Sequence, residues 1–211
     1  HLPSVSMKPP IYAQIEAGAI DRRELTLDDL HPNSEGHALL AEVITDCLDQ
    51  IYVQRHETQE PYSMPEPMTE NAYEKAKRFQ NHNSDPVCAG FSADETPKKY
   101  VNDMFRGGWT ASEQGAKICF EVEGTEIAVQ YRKSVKHPAP VAVAVVDGDE
   151  ENAVTLDANF QKTWGDCLHI DTLAHHMAPG VHRVEIRLTQ THQNDAAPFY
   201  LVSVIVAGKT S

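Results

Sequence analysis

The sequence predicts a mainly β protein, in which an antiparallel β-sandwich of jelly-roll type follows a helical segment. From residue 88 onward, apolar and polar residues alternate with a period of two, as in strands that cover a core with one face. Turn-forming pairs such as Gly124-Thr125 and Asp147-Gly148 separate these runs. No helix of useful length is predicted between the runs, which excludes the parallel connections of α/β proteins.

The alternating runs predict about seven or eight short strands after residue 88. The runs on either side of Gly124-Thr125 are expected to form a hairpin. The stretch from Tyr200 to Val206 is apolar on both faces, which is typical of a central strand. The side chains expected to point into the core are Ile118, Phe120, Ile127, Val129, Val143, Val145, Val184 and Ile186.

The chain before the sandwich is predicted to have two parts. Residues 1–55 end in an amphipathic helix, for which Asn33 or Ser34 is expected to be the N-cap. Its apolar stripe, with spacings of three and four residues, consists of Leu40, Val43, Ile44, Cys47, Leu48 and Ile51. Residues 56–87 are rich in proline and are expected to be a linker with one short helix, from Thr69 to Phe79. The sandwich domain then occupies residues 88–211.

Composition restricts the class of partner. The 211 residues include 18 basic and 31 acidic side chains, a formal net charge of −13, which argues against nucleic acid and anionic membranes as partners. No apolar run approaches the ~20 residues of a membrane span. The four cysteines have no CxxC spacing, so buried or half-buried free thiols are expected rather than disulfides or a zinc site. No cofactor is predicted, and the cellular location is left open, with a lean to the cytoplasm.

The segment Asp28-Asp29-Leu30-His31-Pro32-Asn33, followed by Gly36-His37, carries the clearest chemical signal. A carboxylate three residues before a histidine in a tight turn is placed to accept the imidazole Nδ1–H. That contact fixes the tautomer and leaves Nε2 free to act as a base. The motif therefore has the chemistry of the second half of a Ser-His-Asp triad.

This D-x-x-H-P-N-x-x-G-H pattern resembles the last motif block of SGNH (GDSL-type) hydrolases, most of which are esterases and lipases. The resemblance implies that His31 is the general base and then the general acid, and that Asp28 orients it. Asp29 matches the family pattern less well. In that family the nucleophile lies in a Gly-Asp-Ser motif and an oxyanion donor in a Gly-x-Asn-Asp motif, and this sequence contains neither.

The resemblance therefore implies that residues 1–55 are the tail of an SGNH domain whose N-terminal part, the expected partner, is missing. This chain alone is then expected not to catalyse. One alternative is a non-catalytic carbohydrate-binding or structural β-sandwich module, and another is a complete small protein with a coincidental motif. The apolar stripe of the helix would need cover, so a homodimer through that face is a further expectation.

The sandwich sequence is similar to the jelly-roll domain of acetylxylan-esterase-like carbohydrate esterases. The matching residues are Gly124, Ile127, Val143, Val145, Asp147, Gly148, Leu173, Gly180, His182 and Val184. Trp109 and Trp164 are candidates for stacking on sugar rings, with packing in the core as the alternative reading. Substrate is expected to be a small or carbohydrate ester.

Two other groups of polar residues in the sandwich sequence are of types that can bind a metal ion. The acidic run Asp147, Asp149, Glu150 and Glu151 could collect calcium, but a solvated hairpin tip is the favoured explanation. The histidines lack zinc-site spacing. His182 begins a strand and is expected to make a structural hydrogen bond. No metal site is predicted.

Overall fold

The computed structural model describes residues 4–55, 63–100 and 103–208. It divides the chain into two compact units, residues 1–65 and residues 66–211, which are described separately. Part of the predicted linker, residues 56–62, lies outside the described residues. None of the described helices is long and apolar enough to cross a membrane.

The first unit contains three helices: α1 (Lys8–Glu16), α2 (Arg22–Leu25) and α3 (Ser34–Gln54). Prolines are tolerated in the first turn of α1, where backbone N–H groups have no helical acceptor. The predicted amphipathic helix is confirmed as α3, and Asn33 is its N-cap, since its side chain accepts a hydrogen bond from Gly36 N. The apolar stripe of α3 is incompletely covered, because Ile44 is 39% exposed and Leu48 is 58% exposed.

The second unit is a sandwich of two antiparallel sheets, as predicted. One sheet has the strand order β3-β4-β11-β6-β9, with β1 also paired to β11, and the other has the order β2-β5-β10-β7-β8. The strands are β1 (Lys77–Phe79), β2 (Val87–Ala89), β3 (Ser92–Ala93), β4 (Trp109–Ala111), β5 (Lys117–Glu123), β6 (Glu126–Lys133), β7 (Val141–Val146), β8 (Val154–Asp157), β9 (Cys167–Ala174), β10 (Val181–Gln190) and β11 (Phe199–Ala207).

The core of the sandwich confirms most of the predicted inward positions. Six of these side chains are at most 3% exposed: Ile118, Phe120, Ile127, Val129, Val184 and Ile186. The prediction for β7 was wrong at Val143, which is only half-buried, whereas Val145 is 3% exposed but lies outside the core cluster. The β7 residues in that cluster are Ala142, Ala144 and Val146. All six positions of β7 are apolar, so alternation could not reveal which face is buried.

Two further expectations are corrected by long-range pairing. The runs around Gly124-Thr125 do not form a hairpin, because β5 and β6 belong to opposite sheets. The turn instead carries the chain across the sandwich, where a Cβ at Gly124 would lie 2.8 Å from the Ala207 carbonyl oxygen. The helix expected from Thr69 to Phe79 is also not formed, since the backbone of Lys77–Phe79 pairs with β11 and joins the sheet.

Candidate functional site

The Asp28 turn lies between α2 and α3 and is closed by local backbone contacts. Thr26 and Pro32 form an isolated β-bridge that brings the two ends of the turn together. Asp28 Oδ1 accepts the backbone N–H groups of Leu30 at 3.0 Å and of His31 at 2.7 Å. Asp29 has a positive φ of 62°, and its carboxylate lies 2.7 Å from the Arg22 guanidinium. The Asp28 carboxylate thus fixes the turn with Oδ1 and leaves Oδ2 available for a further hydrogen bond.

That second oxygen contacts His31. His31 Nδ1 lies 2.7 Å from Asp28 Oδ2. The hydrogen bond from the imidazole, together with the two backbone N–H donors, holds the pKa of Asp28 well below its usual range. The His31 side chain is 77% exposed, and its Nε2 has no hydrogen-bond partner among the described residues. An ionised carboxylate on Nδ1 with Nε2 free is the arrangement in which imidazole can take a proton from a nucleophile.

Asn33 and Gly36 fix the entry into α3 behind this pair. The Asn33 side chain accepts from Gly36 N at 3.0 Å and donates to the Glu24 carbonyl oxygen at 2.8 Å, which connects the two helices. A Cβ on Gly36 would lie 2.4 Å from the Leu25 carbonyl oxygen and 3.0 Å from Pro32 Cβ. Only glycine fits this approach without displacing backbone. The conspicuous glycine of the motif is therefore explained by packing.

Apolar side chains surround the pair and remain open to solvent. Leu27 is 92% exposed and Leu30 is 76% exposed. A small apolar pocket of about 170 Å³ borders the turn, with Ile11, Ile15 and Leu39 among its lining residues. Exposed leucines beside a histidine–carboxylate pair are typical of a surface that contacts another molecule or segment.

The two tryptophans have opposite environments. Trp109 is 2% exposed and packs edge-on against Phe120, with ring centroids 5.2 Å apart. Trp109 is therefore withdrawn as a candidate for sugar stacking, because the core of the sandwich covers its indole. Trp164 lies on the loop between β8 and β9, where its ring and that of Phe160 form a T-shaped pair with centroids 5.1 Å apart. Trp164 is 71% exposed, so most of its surface is accessible. Trp164 stays a candidate for substrate binding.

The acidic hairpin and the histidines make structural contacts. His182 Nδ1 lies 2.7 Å from Asp147 Oδ2, and its Nε2 lies 2.9 Å from the Ala178 carbonyl oxygen. Glu150 forms a bidentate pair with Arg187. His175 and His176 both contact the buried Glu126. Asp147 and Glu150 of the acidic run therefore have protein partners. No group of histidine, cysteine and acidic side chains suited to a metal ion occurs among the described residues.

The cysteines are free thiols, as expected, but one differs in burial. Cys47, Cys119 and Cys167 are half-buried, whereas Cys88 is exposed. Cys88 lies on β2 at the edge of its sheet, where all three residues of the strand are exposed. The sequence offered no alternation that would have placed this short strand.

One group of polar residues was not found by sequence reasoning. Asp94, Arg106, Arg132 and Tyr200 line a common cleft on the sandwich, although they are far apart in the chain. No motif connects them, because separate strands and loops bring them together.

Comparison with solved structures gives two close matches. A two-domain esterase (CEX) active on acetylated mannans is 53% identical, with a TM-score of 0.85, over 95% of this chain and 54% of that chain. The same kind of esterase co-crystallised with mannopentaose is 54% identical, with a TM-score of 0.83, over 95% of this chain and 53% of that chain. A family two carbohydrate esterase from Cellvibrio japonicus matches 64% of this chain and 34% of its own, at 16% identity and a TM-score of 0.43.

The remaining comparisons give no relatives: no protein-family model matches the sequence, and neither does any curated protein. The chain spans about half the length of the two-domain esterases it matches. Over nearly all of its own length, it is therefore similar to about half of a carbohydrate esterase with two domains.

Proposed function

We propose that this chain is the C-terminal part of a two-domain serine esterase of SGNH type that removes acetyl groups from a glycan, with acetylated mannan as the substrate. Asp28 and His31 contribute the acidic and basic members of the triad, and a preceding segment contributes the serine. The observation that carries the proposal is the 2.7 Å contact between His31 Nδ1 and Asp28 Oδ2 with Nε2 unoccupied. The 53% identity to an esterase active on acetylated mannans supports the substrate class.

The chemistry follows from these two side chains. His31 Nε2 takes the serine hydroxyl proton as the serine oxygen attacks the ester carbonyl. The proton then passes to the sugar oxygen as its bond to the acetyl carbon breaks, which leaves the acetyl group on the serine. Water hydrolyses the acetyl-serine by the same route, with His31 as base and then acid. Asp28 stays ionised throughout and stabilises the imidazolium, in keeping with its lowered pKa. The acetate and the free sugar hydroxyl are released.

The proposal assigns the parts of the chain. Residues 1–55 form the tail of the hydrolase domain, which would cover the exposed Leu27 and Leu30. The sandwich is an accessory domain. Because β1 begins at Lys77, the sandwich takes in part of the segment that the sequence assigned to the linker, and the boundary between the compact units falls at Pro65.

The test is acetate release from acetylated mannan by a longer protein that includes a Gly-Asp-Ser segment before residue 1. His31→Ala should reduce kcat by about a thousandfold or more, as removal of a triad base does elsewhere. Asp28→Asn should reduce it strongly with little change in KM. His37→Ala, at an exposed position in the same motif, is the matched control and should retain activity.

The 211-residue chain alone should hydrolyse p-nitrophenyl acetate no faster than free histidine does. Its sequence contains no Gly-Asp-Ser motif. Turnover that disappears in His31→Ala would mean that a nucleophile lies within these residues, and the proposed division of the triad would be wrong.

A second candidate function is a non-catalytic carbohydrate-binding module, which the exposed Trp164 favours. An accessible indole face can stack on the apolar C–H face of a sugar ring. Manno-oligosaccharides, xylan and cello-oligosaccharides should be compared by tryptophan quenching in the wild type and in Trp164→Ala. The buried Trp109 supplies an internal reference signal in both proteins. Quenching that survives the substitution would exclude Trp164 as the platform.

A further inference from the structure

The Arg132 cleft is an open, polar depression on the sandwich, defined by Asp94, Arg106, Thr110, Arg132 and Tyr200. Its volume is about 730 Å³. Ligand-binding clefts commonly enclose ~300–1000 Å³. The cleft belongs entirely to the second unit, and it uses neither Asp28 nor His31. None of the comparisons assigns it a role.

Its walls are held in place by buried contacts. The Tyr200 hydroxyl donates to Asp94 Oδ2 at 2.5 Å, and the Tyr200 residue is only 4% exposed. The Arg132 guanidinium lies over the rings of Tyr200 and Phe105, at 5.5 and 5.9 Å from their centroids. Arg132 Nη2 also donates to the Pro198 carbonyl oxygen at 3.0 Å. Donors and acceptors are therefore presented in fixed positions, so little ordering is needed on binding.

The charges of the cleft are balanced, but one donor is unsatisfied. Arg106 Nη1 lies 3.9 Å from Asp94 Oδ2, and Arg132 Nε lies 3.8 Å from Asp166 Oδ2. Each cation thus has its own anion, which leaves no net charge to recruit an ionic ligand. Arg106 Nε is buried and has no hydrogen-bond partner among the described residues, so a ligand in the open cleft does not reach it. The Arg106 side chain is nevertheless 38% exposed, so its guanidinium can offer N–H donors to a ligand that brings acceptor oxygens.

A physical connection joins the cleft to the exposed tryptophan. Asp166, which contacts Arg132, lies two residues after Trp164 and anchors its loop by accepting from Ser134 Oγ and Val135 N, both at 3.0 Å. The cleft and the indole therefore lie at the same end of the sandwich and share one rigid support. A linear ligand that stacks on Trp164 has a fixed polar cleft beside it.

We propose that the Arg132 cleft is a sugar subsite that binds a neutral hexose unit of the same glycan chain that stacks on Trp164. The inference rests on the proposed carbohydrate function and extends it. Hexose hydroxyl groups both donate and accept, so they match an arginine beside a carboxylate without adding charge. Oxygens of the sugar would accept from the exposed part of the Arg106 guanidinium, and the Arg132–Tyr200 stack would form the floor.

The experiment measures binding of mannobiose to mannohexaose by calorimetry, using the 211-residue chain, Arg106→Gln, Trp164→Ala and Arg183→Gln. Arg183 is an exposed arginine on the other sheet and serves as the matched control. Arg106→Gln should weaken mannohexaose binding by about tenfold and leave mannobiose binding unchanged, because the loss is that of a hydrogen bond to a charged donor. Arg183→Gln should bind as the wild type does. Circular dichroism establishes that each variant is folded.

The outcomes separate the two ideas. Wild-type affinity of folded Arg106→Gln for every oligosaccharide, with weaker binding by Trp164→Ala, would overturn the subsite and leave the carbohydrate function intact. Absence of binding by the wild type would reject the sandwich as a glycan surface and the subsite with it. If Arg106→Gln has misfolded, Thr110→Val, a near-isosteric change in the same wall, replaces it, and unchanged mannohexaose affinity would overturn the subsite.

Discussion

The two units of this chain stabilise their structures in different ways. The sandwich buries a continuous core, in which Ile118 and Ile186 have no exposed surface. In residues 4–55 only Gly36 and Leu39 are buried. Yet the Asp28–His31 pair, with its short contact, lies in the poorly covered unit. Hydrogen bonds within a few residues can therefore set the geometry of a reactive pair without help from a core.

The largest expected difference between the units is the cost of removing an apolar side chain. Ile186→Ala should lower the free energy of unfolding by about 3–4 kcal/mol, since it leaves a cavity in the core. Leu48→Ala, at a position 58% exposed on α3, should change it by about 0.5 kcal/mol or less. Urea denaturation followed by circular dichroism measures both. Similar losses of unfolding free energy in Ile186→Ala and Leu48→Ala would contradict the proposed difference between the two units.

A smaller effect is expected where the first unit does depend on close packing. Gly36→Ala should cost about 1–3 kcal/mol, because its Cβ would meet backbone atoms of Leu25 that cannot move freely. It should also displace His31 from Asp28. Hydrogen exchange of the first turn of α3 and the NMR signals of the His31 ring report the two changes. Glu35→Ala, an exposed neighbour, should leave both unchanged.

A pH-dependent effect is expected at the His182–Asp147 pair of the sandwich. Burial works to lower the pKa of His182, but the hydrogen bonds with Asp147 and the Ala178 carbonyl raise it overall. Asp147 is also partly desolvated, yet the bond from His182 lowers its pKa. Both ring nitrogens face acceptors, which requires the charged, doubly protonated imidazolium.

The sign of the effect follows from both shifts. Because its pKa is raised in the folded protein, His182 stabilises the fold fully below about pH 6.5, and this contribution is lost as the pH rises through the pKa of the folded state. Because its pKa is lowered in the folded protein, Asp147 stabilises the fold above about pH 4, and this contribution is lost as the pH falls through the pKa of the folded state. Asp147→Asn should therefore cost about 1–2 kcal/mol between these limits and less at higher pH. Thermal unfolding across this range tests it, with Asp149→Asn on the same turn as control. A loss that does not vary with pH would contradict the charged pair.

The smallest effect on stability is expected from a substitution on the exposed stripe of α3 that changes only whether two copies of the chain associate. If the exposed stripe of α3 forms a two-fold dimer, Leu48→Lys should dissociate it while changing the free energy of unfolding of each subunit by about 0.5 kcal/mol or less. Light scattering measures the dimer, and Asp46→Lys, off the stripe, is the control. A monomeric wild type would exclude the dimer.

Contacts between residues close together in the chain could be predicted from the sequence, whereas contacts between distant residues could not. Asp28 and His31 are three residues apart, so a local turn was enough to predict their contact. Period two identified the strands that cover the core. The alternation does not show which distant strands pair with one another. The hairpin predicted around Gly124-Thr125 is therefore wrong, because β5 and β6 belong to opposite sheets.

The candidate residues differed for the same reason. Trp109 and Trp164 look alike in sequence, since each stands beside glycine. Only the assembled sandwich distinguishes them, because Trp109 enters the core beside Phe120. The Arg132 cleft was missed altogether, since Asp94 and Tyr200, which share a hydrogen bond, are 106 residues apart.

The position of β11 has a consequence for the order in which the sheet can form. Among the described strands β11 comes latest in the chain, yet it lies between β4 and β6 and also pairs with β1. A growing chain that has not yet released β11 therefore has no partner for β1, and β4 and β6 have no common neighbour. The middle of this sheet is therefore completed only after Phe199–Ala207 has been synthesised. Deleting β11 should unfold the sheet as a whole, whereas the Asp28 turn, whose contacts are local, can form before β11 exists.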